Sequence, residues 1–409
     1  MMLLAKNVAL EEGFKNNQNV LVLGVPGSGK SRGHVLPNLM EMTSSFVVLD
    51  PKGELFAISA KMLKSRGYKV QCVDFDTPLN TVDYYNPLQF IETEDDILRV
   101  TDLLVADLKR HSTDMFWGHS AQILANSLVG YLMEECNPED RTLTSVLKLL
   151  KCMPANENCP STLDIMFETL KRAKPNCFAI EQYELVKTCS ASEKTLASII
   201  ISLVATFSGL MTEGIKHLTG RNTIDFRRLG HEKTALFIKS SDNDRSKDIL
   251  VNLLFRQAMD ELYREADYLP NHCLPLHVHF FLDDFGTNLV IDHFDATIAG
   301  MRSREMSCSV ILQSEGQLRQ MYGEAWSTIL GSCAAYVFLG SNDINTCRDV
   351  SFRINKPLEE VLYKKSSDIY VFIQGRFPVR AERYDLRQHI FYGYLEDFDI
   401  KSRDVELIR

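Results

Sequence analysis

Two textures alternate along the chain. Continuous apolar runs rich in β-branched residues occupy Asn19–Val25 (NVLVLGV), Ser45–Asp50 (SFVVLD) and Lys69–Asp76 (KVQCVDFD). They return at Thr234–Ser240 (TALFIKS), Leu276–Phe285 (LHVHFFLDDF), Cys308–Ser314 (CSVILQS) and Ala334–Ser341 (AAYVFLGS), separated by helix-length segments. Runs without polar alternation predict strands of a mostly parallel sheet covered on both faces, joined as βαβ units. Between about Glu94 and Ser190 the period becomes helical, as in DDILRVTDLLVADLKR, FWGHSAQILANSLVGYLMEE, LTSVLKLLK and LDIMFETLKRAK. The pattern therefore predicts an α/β domain formed by 1–93 and 191–409 with an all-α domain, 94–190, inserted into it. Asn86–Phe90 (NPLQF) reads as a proline-marked exit from the sheet. A long uncharged stretch, Thr195–Thr212, carries Ser198, Ser202 and Thr206 at four-residue spacing and reads as a core helix rather than a membrane span.

Composition narrows the function classes. At 409 residues the chain has room for two to three domains of about 150 residues each. Its net charge of −9 excludes a protein that coats nucleic acid through a bulk basic surface. The acid excess is densest in 94–190, with ten Lys+Arg against fifteen Asp+Glu, which suits a basic protein partner. DNA contact is expected instead on small clusters, Lys364 and Lys365 or Arg376, Arg380 and Arg383. None of the ten cysteines forms a CxxC pair, and Cys72, Cys308 and Cys333 lie in apolar runs, as reduced cysteines of a cytoplasmic protein do.

The sharpest chemistry lies at Gly24–Ser31, GVPGSGKS, which fits the phosphate-binding pattern GxxxxGK[ST] between a strand and a helix. Gly24, Gly27, Ser28 and Gly29 would wrap backbone N–H groups around phosphate oxygens. Lys30 would reach the β- and γ-phosphates of ATP, and Ser31 would ligate Mg²⁺. A metal-binding carboxylate is expected on a neighbouring strand, and FLDDF supplies one: Asp283 would hold Mg²⁺ through water, and Asp284 would orient or deprotonate the attacking water. Gln313 ends a later strand, where a polar side chain would meet the γ-phosphate or the lytic water. Arg302 and Arg304 are candidates for an arginine finger acting across a subunit boundary. Asp50-Pro-Lys-Gly-Glu54 should face the same sheet edge. His272, Cys273, His277 and His279 invite a zinc site, but His277 and His279 alternate on one strand face, where structural histidines are commonplace.

Taken in order, GVPGSGKS, VVLDPKGEL, the NPL step at Asn86, FLDDFG, MRSRE and ILQSEGQLRQMYG resemble the type IV coupling proteins, especially those of Gram-positive mobile elements. That resemblance implies a RecA-like P-loop domain carrying an all-α domain, assembled as a homo-hexamer that hydrolyses ATP with Mg²⁺ at subunit interfaces. It implies partners too: single-stranded DNA, a relaxase or effector protein, and the type IV secretion channel. Family roles fall on Lys30 and Ser31 for nucleotide and metal, Asp283 and Asp284 as the Walker B pair, Gln313 as sensor and Arg302 as finger. Alternatives from other classes are a nucleotide-gated substrate receptor with little motor activity and a different hexameric DNA translocase. The chain departs from the family in having Asp284 where Glu is usual and in carrying no membrane-spanning helix. It is therefore read as a soluble part, or a protein anchored through a partner, at the cytoplasmic face of the bacterial membrane, monomeric when isolated.

Overall fold

The computed structural model describes residues 1–11, 13, 16–111, 115–153, 160–189, 193–210, 212–241, 243–288 and 290–396. It divides into two compact units, one formed by 1–76, 225–245 and 258–409, the other by 77–224 and 246–257. The second unit is broader on both sides than the helical span 94–190 expected from periodicity.

The first unit is built on strands β1 (Met2–Ala5), β2 (Val8–Leu10), β3 (Val20–Gly24), β4 (Ser45–Leu49), β5 (Lys69–Asp74), β6 (Thr234–Lys239), β7 (Val278–Leu282), β8 (Met306–Leu312), β9 (Ala335–Gly340), β10 (Asp368–Ile373) and β11 (Val379–Glu382). β1 and β2 form a separate hairpin, and the others make one sheet in the order β11-β10-β9-β3-β8-β7-β4-β6-β5. From β9 to β5 all neighbours are parallel, while β10 and β11 extend the sheet antiparallel. Each of the seven apolar runs forms one of the parallel strands, and the interior of β3, Val20 to Leu23, is wholly buried. Asn19 fixes the start of β3. Its Oδ1 accepts from Cys308 N at 2.9 Å and its Nδ2 donates to the Ile298 and Ser332 carbonyls, so a buried amide is satisfied on both sides.

Parallel order has one consequence for the expected site. β8 lies between β3 and β7, so the strand carrying the acid pair does not neighbour the phosphate-loop strand. Chain order places the Gln313 strand after the acids, but the sheet places it between them and the glycine loop. Right-handed crossovers allow either arrangement, so connectivity alone left lateral order open.

In the helical unit, Met115–Glu135 packs against Phe178–Cys189, where Gly130 lets Ala179 approach: a Cβ at Gly130 would lie 3.1 Å from that of Ala179. Tyr183 stacks on Phe167 with ring centroids 3.9 Å apart. Reciprocal caps, Thr93 with Asp96 and Ser161 with Asp164, start the helices Glu94–Leu104 and Thr162–Ala173. The NPL step is a built corner. Asn86 donates to the Arg141 carbonyl at 2.7 Å, and Gln257 bridges the Tyr85 hydroxyl and the Pro87 carbonyl.

Glu193–Leu210 buries a stripe of Ile199, Leu203, Phe207 and Leu210, while Ile201 is 67% exposed. Its Ser198, Ser202 and Thr206 hydroxyls bond back to carbonyls four residues earlier, so the polar stripe is satisfied within the helix. Among the described residues no single helix is long and apolar enough to cross a membrane.

Candidate nucleotide site

β3 ends in Gly24, and the chain turns at once because Val25 N is held by the Gly340 carbonyl at the end of β9, 3.2 Å away. Gly27 and Gly29 take φ of 77° and 83°, in the left-handed region that glycine enters without strain. A Cβ at Gly24 would fall 2.3 Å from Ser28 Oγ. That hydroxyl is buried and has no hydrogen-bond partner. The helix that follows opens with a π-turn, Ser31–Val35, before continuing as Leu36–Glu41.

Lys30 is only 7% exposed; its Nζ donates to the Gly24 carbonyl at 2.9 Å and lies 3.5 Å from Asp284 Oδ1. The hydroxyl of Ser31 donates to Asp283 Oδ2. Thus the glycine loop and the acid pair, distant in sequence, meet at the C-terminal edge of the sheet. Burial pushes the Asp283 carboxyl up to about 6, and the Asp284 charge pushes the same way against the Ser31 hydrogen bond and Lys30. Asp284 adopts φ 47°, and its N–H turns back onto Asp283 Oδ1 at 3.1 Å. The strained turn leaves Asp284 partly exposed beside Lys30 while Asp283 stays inside.

Gln313 follows the last residue of β8, and the pairing of Leu312 with Leu23 sets it level with Gly24. Its N–H donates to Gln317 Oε1 at 2.8 Å, and its carbonyl accepts from Ser341 Oγ at 3.3 Å. Asp50 reaches the same edge, one residue beyond the paired Leu49 and Leu282. Its carboxylate accepts from Phe56 N at 2.8 Å and so starts the helix Glu54–Ser65; burial raises its pKa to about 6.

Arg302 and Arg304 precede β8 and therefore lie at the opposite edge, one strand length or about 20 Å from the loop. Arg304 pairs with Asp267 at 3.0 Å and covers the Tyr263 ring. Arg302 is exposed. Within one chain neither meets the phosphate loop.

The histidines form a different structure. Hydrogen bonds run from Glu305 to His277 (3.1 Å), on to Ser307 (2.6 Å), His279 (2.6 Å), Ser309 (2.9 Å) and finally His34 (2.9 Å). Burial holds His34 down to about 4 and His279 well below the usual range. Among the described residues no cluster of three or more His, Cys, Asp or Glu is arranged to hold a metal ion.

Sequence reasoning assigned the C-terminal basic residues to a DNA surface, and the structure employs most of them otherwise. Lys364 donates to the Leu339 and Asp368 carbonyls at 2.6 and 2.7 Å, and Arg380 pairs with Asp368. Arg376 is 3.5 Å from Glu11. Arg383 donates to the Ser28 carbonyl of the glycine loop at 2.7 Å. The one sequence signal for that contact is Gly33, a helical glycine outside the phosphate-binding pattern, over which the Arg383 stem lies.

Comparison with known proteins gives this geometry relatives. The chain is 25% identical over 372 residues to Protein VirD4 of Rhizobium radiobacter, covering 86% of this chain and 49% of that protein. It is 24% identical over 375 residues to Protein VirD4 of Rhizobium rhizogenes, covering 86% and 50%. The chain thus spans about half the length of the curated relatives it matches. Among solved structures, the plasmid coupling protein TrwB in complex with ADP and Mg²⁺ aligns with a TM-score of 0.65 at 16% identity, over 90% of this chain and 86% of that one. VirB4 of Thermoanaerobacter pseudethanolicus aligns with a TM-score of 0.55 at 14% identity, over 92% of each chain. The shared fold is α/β, of the RecA-like P-loop type. With residues 3–356 matching the model for type IV secretory system conjugative DNA transfer, the chain belongs to that family.

Proposed function

We propose that the chain is the ATPase part of a coupling protein that recruits relaxase-bound single-stranded DNA, or an effector protein, and drives it into a type IV secretion channel. The observation that carries this reading is the convergence of Lys30, Ser31, Asp283 and Asp284 on one loop at the sheet edge. The donor set fits a nucleotide with Mg²⁺: an ammonium held by a carbonyl and a carboxylate, a hydroxyl on a buried carboxylate, and an orphaned Ser28 hydroxyl inside the glycine turn. The TrwB structures solved with ADP and Mg²⁺ and with an ATP analogue support the same reading. Ser31 would hold the ion directly and Asp283 through water, and the ion neutralises phosphate charge when bound.

The protein groups divide the remaining work. Lys30 leaves the Gly24 carbonyl for the phosphate. Asp284, on its exposed turn, orients a water and takes its proton, and Gln313 on the intervening strand fixes that water or the γ-phosphate. Arg302, on the far edge and away from its own phosphate loop, serves a neighbouring copy's site in a ring, a hexamer in the family pattern. Work of this kind belongs at the cytoplasmic face of the membrane, where the channel begins. The acid-rich helical span 94–190 favours a second role, as receptor for a basic relaxase or effector.

Steady-state phosphate release from the purified chain, with and without single-stranded DNA, tests the motor. Turnover above background that rises with DNA and vanishes in Lys30→Ala is expected; background turnover in every case overturns it.

A further inference from the structure

Arg383 sits just past β11, placed by its own N–H on the Ser367 carbonyl at 2.9 Å. From there its side chain reaches the glycine loop. Nη1 donates to the Ser28 carbonyl at 2.7 Å. A Cβ at Gly29 would lie 2.3 Å from Nη1, and a Cβ at Gly33 would lie 2.8 and 2.9 Å from Cγ and Cδ. Gly29 needs to be glycine for its backbone angle. Gly33 does not: its φ is not positive, and it lies inside the π-turn Ser31–Val35, in a helix where glycine is the poorest choice short of proline. The close approach of Arg383 explains it.

A trans peptide unit is planar, with its C=O and N–H pointing opposite ways. A guanidinium holding the Ser28 carbonyl on one side therefore turns the Gly29 N–H to the other. We propose that Arg383 is a positioning residue for nucleotide binding: it fixes the Ser28–Gly29 peptide in the orientation that presents the Gly29 N–H to the nucleotide phosphate, acting through the loop and not on the phosphate. The proposal rests on the reading of Gly24–Ser31 as the nucleotide site. Gly33 and Arg383 form one device, a groove and the side chain that fills it.

The test is binding of mant-ATP with Mg²⁺, followed by fluorescence, in wild type, R383M, R383K, G33A and K30A. R383M keeps the apolar stem over Gly33 and loses the donors. Loss of a charged hydrogen bond should weaken binding about tenfold or more. R383K should recover part of it. G33A, which keeps the arginine but displaces it, should weaken binding in the same direction, and R383M/G33A should be no weaker than R383M alone. In turnover, KM should rise more than kcat falls, and melting without nucleotide should stay near wild type, a split that a merely structural role does not give. R383M binding within twofold of wild type, or G33A doing so should R383M not fold, overturns the role of Arg383. If wild type does not bind mant-ATP, or K30A binds as well as wild type, the nucleotide site itself falls, a separate result.

Discussion

The two ends of β7 bury polar groups in opposite ways. At the N-terminal end, His277 and His279 face Ser307 and Ser309 of β8, and hydrogen bonds run from Glu305 through all four to His34. Apart from His34 Nδ1, which has no hydrogen-bond partner, the buried ring nitrogens and hydroxyls there are linked one to the next. At the C-terminal end, Asp283 is almost as deeply buried, yet its pKa is pushed up because one hydroxyl, the Asp284 N–H and one distant ammonium do not replace the water it lost, and the Asp284 charge adds to the cost. Matched burial specifies a fold; burial with too few partners marks a place held ready for a ligand.

That contrast can be broken at either end. The largest effect is expected from Lys30→Ala, which should bring ATP turnover to background, read as steady-state phosphate release. Asp284→Asn comes next: kcat should fall about 10²–10⁴-fold, while mant-ATP binding stays within a few-fold, since the amide keeps the shape and loses the base. At the histidine end, Ser309→Ala leaves the His279 and His34 ring nitrogens without their shared partner. It should cost about 1–3 kcal/mol in urea unfolding at pH 7.

The smallest effect is a pair of opposed pH slopes. His34 has its folded pKa lowered from 6.5 to about 4, so the stability gained by keeping it neutral is present above 6.5 and is lost as pH falls toward 4. Asp50 has its folded pKa raised from 3.8 to about 6, so its contribution is most favourable below 3.8 and is lost as pH rises through 6. Urea midpoints between pH 4 and 7 should fall more steeply with rising pH in His34→Gln than in wild type. Asp50→Asn, which keeps the acceptor for Phe56 N, should show the reverse. Identical profiles for the two variants would remove the electrostatic part of the comparison.

Much of this was legible in the residues. All seven parallel strands followed from apolar runs, because strands buried on both faces need no alternation. The loop Gly24–Ser31 and the pair Asp283–Asp284 stood out by spacing and residue type. Lateral order was not legible: nothing local in VILQS says that it lies between the loop strand and the acids. β10 and β11 form an antiparallel edge with an exposed outer strand, Val379–Glu382, whose pattern is too short to separate from a turn. Lys364 and Arg383 look like surface cations because their partners are backbone carbonyls, and a carbonyl leaves no mark in the sequence.

The position of β3 in the sheet also bears on how the protein is made. β3 leaves the ribosome well before the strands that close both of its edges, β8 from Met306 and β9 from Ala335. Until then an entirely apolar strand has its backbone unpaired on both sides, a state prone to joining the wrong edge or another nascent chain. Assembly of the loop waits longer still, since Ser28 gains its arginine only when residue 383 has been added. Chains cut short before that point would carry the complete GVPGSGKS motif without the arginine that holds it, so synthesis of residue 383, rather than appearance of the motif, sets when the loop can be held in its final form.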